Sequence, residues 1–204
     1  VYLDTVRPSM AQPGAKVYIE YGISHPAHEL FYGTLDHGVV YGVCAEINDY
    51  KHGQGVVVDV VNNPQLMYYA YGFLREHPHV KHVLLRIIQP RTFSDPVKEW
   101  WVEADHIKKW AEEELIPHMR MAELHNGDLD AGPWCRFCPA KLVCPVMTSL
   151  FGAAMQADPK TVVEMSDAAL DQSYPMIAAV KSYIKALEEE VFARLRRGTE
   201  FSAA

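Results

Sequence analysis

The sequence predicts a mixed α/β protein: a central mixed β-sheet flanked by helices, a small cysteine-bound module and a C-terminal helical segment. Three features of the chain support this. Residues 16–61 alternate apolar and polar positions in short runs broken by glycine, the period-two signature of strands. A nearly all-apolar run, "VKHVLLRIIQP", follows a helix-like segment, as expected of a strand covered on both faces. Beyond it apolar residues recur at helical spacing, ending in the stripe Ile177, Val180, Ile184, Leu187, Val191 and Leu195.

Taken in order, "KVYIEYG", "LFYGTLDHGVVY", "CAEINDYK" and "GVVVDVV" read as four strands, with no helix expected ahead of the first. Asn63 then supplies an N-cap and Pro64 the first helical position of a helix running to about His77. "VKHVLLRIIQP" is the fifth strand, and "PVKEWWVEADHIKKWAEEELIPHMRMAEL" reads as one long amphipathic helix. Ser166 caps the last helix. The organisation is a core over 1–125, a cysteine module over 126–150 and a helical segment over 151–204.

A chain of 204 residues can bury one sizeable core and carry a small module. Its 49% hydrophobic and 22% charged residues are globular values. The net charge of -7 excludes a surface wholly attractive to nucleic acid, yet leaves room for a local basic groove around an acidic, cation-loaded centre. No run approaches ~18 apolar residues, so no membrane span is expected, and no secretory signal opens the chain. The first residue is Val, which reads as a piece of a longer protein. Cys135, Cys138 and Cys144 crowd one short segment, and Cys44 stands apart. That clustering fits a metal site in a reducing compartment, the cytoplasm, better than a disulfide framework.

The chemistry concentrates around a hairpin. Gly42 at the first central position of a two-residue loop suits a type II′ turn, pairing Tyr41 with Cys44 and setting Asp36 opposite Asp49. Opposed residues have Cβ atoms ~4.5–5.5 Å apart, where like charges repel. Such a pair needs a cation or a shared proton. Lys51, two residues on, balances one carboxylate; a divalent, oxygen-seeking ion such as Mg²⁺ suits the remainder. Such an ion polarises a phosphoryl oxygen and acidifies a bound water, with Lys51 placed to orient that water or stabilise developing charge. Gln65 and Tyr69, four apart, share a helix face that can hold a phosphate oxygen, a base edge or Lys51. The plainer reading makes Asp36, Asp49 and Lys51 exposed strand-end charges, Gln65 a solvated helix residue, and Glu20 a strand-edge carboxylate.

In order and spacing, "GTLD", "NDYKHG" and "QLMYYAYG" resemble the PD-(D/E)XK nuclease superfamily, in its RecB-like branch with a C-terminal cysteine cluster, a type found in phages and among CRISPR-associated exonucleases. By motif the resemblance covers about residues 16–90, and "QPR" with the cysteine block extends it in character to 146. It implies a restriction-endonuclease-like core and hydrolysis of DNA phosphodiester bonds, most simply as an exonuclease on single strands or ends. It also implies Mg²⁺ or Mn²⁺ held by Asp36, Asp49 and the Tyr50 backbone carbonyl, with Glu20 lining the site. Lys51, Gln65 and Tyr69 would complete the catalytic set. Recombination or replication proteins would be partners, in the host cytoplasm for a phage-encoded protein. The family's metal-binding histidine, on a helix before the first strand, has no counterpart here; His25 and His28 fall between strands.

In that branch three clustered cysteines join one upstream cysteine around a [4Fe-4S] cluster that clasps the domain. Cys135-x2-Cys138-x5-Cys144 resembles the arrangement, with zinc as the alternative. Two other readings stay open: a non-catalytic nucleic-acid-binding or recombination accessory module, and a zinc-bound interaction domain.

Overall fold

The computed structural model of the protein describes residues 1–53, 56–156 and 164–201. The chain divides into Val1–Gly127 and Asp128–Ala204, so the cysteine segment and the C-terminal helices share one unit.

The first unit is built on a five-stranded sheet in the order β1-β2-β3-β4-β5, with β1 Lys16–Ser24, β2 Tyr32–Tyr41, β3 Cys44–Tyr50, β4 His82–Ile88 and β5 Val97–Glu103. Neighbours run antiparallel except β3 and β4, which are parallel. A parallel pair needs a crossover, and helix α2 (Pro64–Leu74) provides it. The α2 start follows the expected chemistry: Asn63 Oδ1 accepts from Leu66 N at 3.1 Å and Pro64 opens the helix. Its face of Leu66, Met67, Ala70 and Phe73 packs with Ile23, Phe31, Leu35, Ile47, Leu85, Ile87 and Ile107 in the main core.

The hairpin register is as the turn predicts, from Tyr41↔Cys44 to His37↔Asn48. Gly42 has φ +54°, the left-handed value that a type II′ turn requires of its first central residue. Elsewhere the structure corrects the sequence reading. Helix α1 (Tyr2–Met10) precedes the first strand and packs on β2 and β3; it contains no histidine. "GVVVDVV" is not a strand over its described part, since Gly55 lies outside the described residues. Both edges of β3 are already taken by β2 and β4, so this segment bonds to side chains instead. Val58 N donates to Gln89 Oε1 at 3.2 Å, and Val58 O accepts from Lys98 Nζ at 3.0 Å.

The expected long helix begins as β5, because β4 offers an open edge and "VKEWWVE" carries the β-branched and aromatic residues that fit it. Helix follows from Ala104: α3 (Ala104–Trp110), a π-helical turn (Ala111–Leu115) and α4 (Ile116–Glu123).

In the second unit, 3₁₀ turns at Pro133–Phe137 and Lys141–Val143 lead into α5 (Pro145–Gln156) and α6 (Asp167–Arg196). Ser166 caps α6, its hydroxyl accepting from Ala169 N at 3.3 Å. A small core gathers Ala131, Cys135, Met147, Ala179 and Tyr183. The face that α6 buries is therefore rotated from the predicted stripe: Ile177, Ile184, Leu187 and Leu195 are exposed. A core this small accepts one narrow helix face, and Ala179 and Tyr183 occupy it.

Candidate active site

The sheet register assembles the carboxylates. In β1–β2, Ile19 pairs with His37 and Tyr21 with Leu35, which leaves Glu20 opposite Asp36. In β2–β3 the last pair is His37↔Asn48, and Asp36 and Asp49 are the next positions. Glu20, Asp36 and Asp49 thus stand in one row across three adjacent strands, at the point where both ladders are interrupted. Glu20 has φ +47°, a conformation costly for a residue with a Cβ, in keeping with the break in pairing beside it. The Asp36 carboxylate substitutes for a ladder partner: its Oδ2 accepts from Tyr50 N at 2.8 Å.

Asp49 is only 2% exposed, which removes the reading of it as a solvated strand end. Burial pushes its carboxyl above the ordinary carboxylate range; the nearby Lys51 ammonium pulls the other way, and Asp36 adds to the rise. Lys51 Nζ lies 2.8 Å from Asp49 Oδ2. That oxygen has no aligned hydrogen bond among the described residues, so the contact is electrostatic. The same ammonium donates to Gln65 Oε1 at 2.9 Å, and Gln65 Nε2 donates to Tyr69 Oη at 3.0 Å. The Lys51 ammonium, a donor only, therefore fixes which end of the Gln65 amide it meets, and the Tyr69 hydroxyl accepts from the other end. The glycine of "GTLD" has a role here: a Cβ on Gly33 would sit 3.2 Å from Tyr69 Cε1, so its absence lets the Tyr69 ring lie close against β2.

All five residues that the motifs single out, Asp36, Asp49, Lys51, Gln65 and Tyr69, meet in this arrangement. Glu20 joins by register and lines an open cavity of about 520 Å³ with Tyr2, Ile19, Asp36 and Tyr50. Burial and the negative charges of Asp36 and Glu20 raise the Tyr2 hydroxyl above its usual range. The residues fit a divalent cation by their charge: one ammonium stands against three carboxylates, one of them buried. Among the described residues no group of three His, Cys, Asp or Glu side chains is drawn together tightly enough to hold a metal.

The cysteines behave differently. All four are free thiols. Cys135 is buried, its Sγ 3.4 Å from the Gly132 N–H that donates to it, and Cys144 packs at the edge of the same small core. Cys44 sits at the hairpin in the other unit, paired with Tyr41.

Three features escaped the sequence reading. A buried polar network crosses the sheet: Arg86 bonds Glu46, Asn48 at 3.2 Å and Glu99 at 2.6 Å, while Asn48 meets His37 at 3.0 Å. Tyr41 donates to Glu46 at 2.9 Å, and burial with that bond pushes its hydroxyl up to about 12. Charged residues inside the apolar runs "CAEIN" and "VLLRII" were the available signal. Second, Gln89 of "QPR" is buried and accepts from Val58 N while donating to Val56 O at 2.8 Å, pinning the segment after Lys51. Third, Tyr2, Tyr50, His52 and Arg91 form an aromatic and cationic border to the acidic row. The flanking position of Tyr50 in "NDYKHG" was its only trace.

Fold and site together define an α/β protein in which a mixed five-stranded sheet presents a row of carboxylates beside a lysine held by a helix. The chain belongs to the family described as "Protein of unknown function (DUF2800)", whose model matches residues 4–204. A solved structure described as "Crystal structure of SSO0001" is similar at 15% identity and a TM-score of 0.39, over 72% of this chain and 67% of that one. Among the described residues no helix is long and apolar enough to cross a membrane.

Proposed function

We propose that the protein is a metal-dependent deoxyribonuclease of the PD-(D/E)XK superfamily, RecB-like branch, which hydrolyses DNA phosphodiester bonds as an exonuclease in the cytoplasm. The observation that carries this reading is the unbroken series Asp49–Lys51–Gln65–Tyr69 beside Asp36. A buried carboxylate next to a lysine is costly, and the charge of Asp36 close by adds a repulsion that a bound cation would relieve. Asp36, Asp49, the Tyr50 carbonyl and Glu20 are the groups that would hold Mg²⁺ or Mn²⁺. When bound, such an ion supplies Lewis-acid polarisation of the phosphoryl oxygen and a water acidified toward neutrality.

The chain's own residues do the rest. Lys51 places its ammonium where negative charge grows on the phosphate or where the attacking water must be oriented. Gln65 holds that ammonium in position, and Tyr69 holds Gln65. Asp49 anchors Lys51 from the other side and keeps its own charge out of solvent.

Incubation of the protein with labelled DNA and Mg²⁺ or Mn²⁺ tests the reading. Cleavage is expected in the wild type and its loss in Asp49→Ala and Lys51→Ala. Cleavage that persists in both variants would sink the assignment; nucleic-acid binding without turnover would favour an accessory module in recombination. Cys135, Cys138 and Cys144 are proposed as ligands of a [4Fe-4S] cluster or zinc, supported by their clustering. Metal analysis and visible absorption of anaerobically purified protein decide between a cluster, zinc and neither.

A further inference from the structure

The wall of the cavity beside the acidic row is aromatic, apolar and open. Tyr50 is 38% and Ile19 66% exposed. The Tyr2 ring stands edge-on to Tyr50, with centroids 5.4 Å apart and planes at 71°. The His52 ring lies 6.1 Å from that of Tyr50. Arg91, exposed, donates from Nη1 to His52 Nε2 at 3.0 Å, so His52 carries its proton on Nδ1 and donates it to Tyr50 Oη at 3.2 Å. An otherwise acidic chain therefore presents, within one short span, carboxylates, an open tyrosine face and a surface guanidinium.

We infer that this border is a base-stacking subsite for single-stranded nucleic acid: an unpaired base lies on Tyr50 against Tyr2 and Ile19, and an adjacent backbone phosphate meets Arg91, which His52 holds beside the ring. The inference rests on the nuclease reading only in placing the scissile phosphate at Asp36 and Asp49. Three physical points support it. Every base has a π-face that an aromatic ring can accept, and a cation along the backbone is the usual complement. A duplex keeps those faces inside its stack, so only an unpaired or splayed nucleotide can use the ring. Tyr50 is also held firmly in place, its backbone N–H by Asp36 and its hydroxyl by His52.

The test uses the full chain without a cleavage-supporting metal. Fluorescence anisotropy is measured with a labelled 20-nucleotide single-stranded DNA, its RNA counterpart and the annealed DNA duplex. The single-stranded DNA is expected to bind about tenfold or more tightly than the duplex. Tyr50→Leu keeps an apolar wall but removes the ring, and should weaken single-strand binding by roughly tenfold, the usual scale for one stacked base. Tyr50→Trp should retain binding and show indole fluorescence quenched by single-stranded DNA but not by duplex. Equal affinity for single strand and duplex, or unchanged binding in Tyr50→Leu with an unquenched Tyr50→Trp, overturns the inference. RNA bound as tightly as DNA supports the stacking subsite and removes sugar discrimination from it.

Cleavage assays keep the two proposals apart. If the wild type cleaves and Tyr50→Leu retains its strand preference, the stacking subsite falls and the nuclease stands. If stacking behaves as expected and the wild type cleaves no DNA with Mg²⁺ or Mn²⁺, the nuclease falls and the subsite stands.

Discussion

The acidic row in the first unit and the cysteine segment in the other are alike as sequence in one respect, each a few chemistry-bearing residues picked out by short motifs. The backbone treats them differently. Asp36 and Asp49 are thirteen residues apart, but a hairpin turned at Gly42 converts that interval into adjacency, and Glu20 joins through the next ladder. Cys135, Cys138 and Cys144 lie closer in sequence, yet one sulfur enters a hydrophobic core; among the described residues neither the thiols nor the carboxylates close into a group of three around a metal. A strand-borne site takes its geometry from hydrogen-bond register, which exists without a ligand. A loop-borne thiol site takes much of its geometry from the metal itself.

Substitution in each region in turn puts this contrast under the greatest strain. If the protein is the nuclease proposed, Asp49→Ala or Lys51→Ala should reduce DNA cleavage by roughly 10²- to 10³-fold, the scale of losing one preorganised electrostatic stabiliser. Replacing Cys135, Cys138 and Cys144 together by serine should leave the cleavage rate within about tenfold and lower the melting temperature instead, since a hydroxyl enters the core beside Met147. A cleavage loss as large in the triple serine variant as in Asp49→Ala would mean that the two regions act as one site.

Next in size is the buried network behind the acidic row. Arg86→Ala leaves Glu46 and Asn48 without their cation, and removing one member of a buried ion pair costs about 3–5 kcal/mol. Chemical denaturation should show that loss in the unfolding of the first unit. Arg86→Met with Glu46→Gln should recover much of it, because the cost lies in the orphaned charge.

How much of this was legible in sequence follows the same division. The hairpin register followed from Gly42 alone, and α2 from Asn63 and Pro64, because turns and caps are local chemistry. Gln65 and Tyr69 were legible as a pair through their four-residue spacing, with Lys51 as one of three possible partners; that Gln65 meets Lys51 depends on how α2 lies over the sheet. β5 was hidden because "VKEWWVE" runs unbroken into a helix, and strand pairing is decided by the vacant edge of β4. "GVVVDVV" erred in the opposite sense: it has strand composition but no free edge of β3 to join. α1 buries little beyond Val6 and Ser9, so its periodicity was weak. Glu46 and Arg86 were visible only as charges in apolar strands, and their pairing needs the parallel β3–β4 neighbourhood.

A more modest change concerns the charge state of Asp49. Its carboxyl titrates above the ordinary value of 3.8, so over that interval the folded chain holds a proton that the unfolded chain releases. The contribution is fully present below the ordinary carboxylate pKa and is lost as pH rises through the raised one. Asp49→Asn should therefore be more stable than wild type near neutral pH, with the difference shrinking as pH falls toward 4. A shift of about 2–8 °C in melting temperature is the scale for about 1 kcal/mol in units of this size. Mn²⁺ should raise the wild-type melting temperature and leave Asp49→Asn nearly unmoved, as mass action requires of an ion bound only by the folded carboxylates. A variant that is destabilised at neutral pH would show that the Lys51 contact outweighs the burial of the charge.

The subtlest substitution separates positioning from chemistry within the row's helix partner. Tyr69→Phe keeps the ring that Gly33 accommodates and removes only the hydroxyl that accepts from Gln65 Nε2. Lys51 stays in contact with Asp49, so the site keeps its charges and loses only the group that holds the Nε2 end of the Gln65 amide. A neutral hydrogen bond of this kind is worth about 0.5–1.5 kcal/mol, so the cleavage rate should fall roughly three- to tenfold with melting temperature almost unchanged. Gln65→Ala should fall further, because it removes the direct contact with Lys51 as well. Combining Tyr69→Phe with Gln65→Ala should then add nothing beyond Gln65→Ala, since Tyr69 acts on the site only through that amide. An additive double variant would place the Tyr69 hydroxyl in direct contact with the DNA, and would move it from a positioning residue to a binding one.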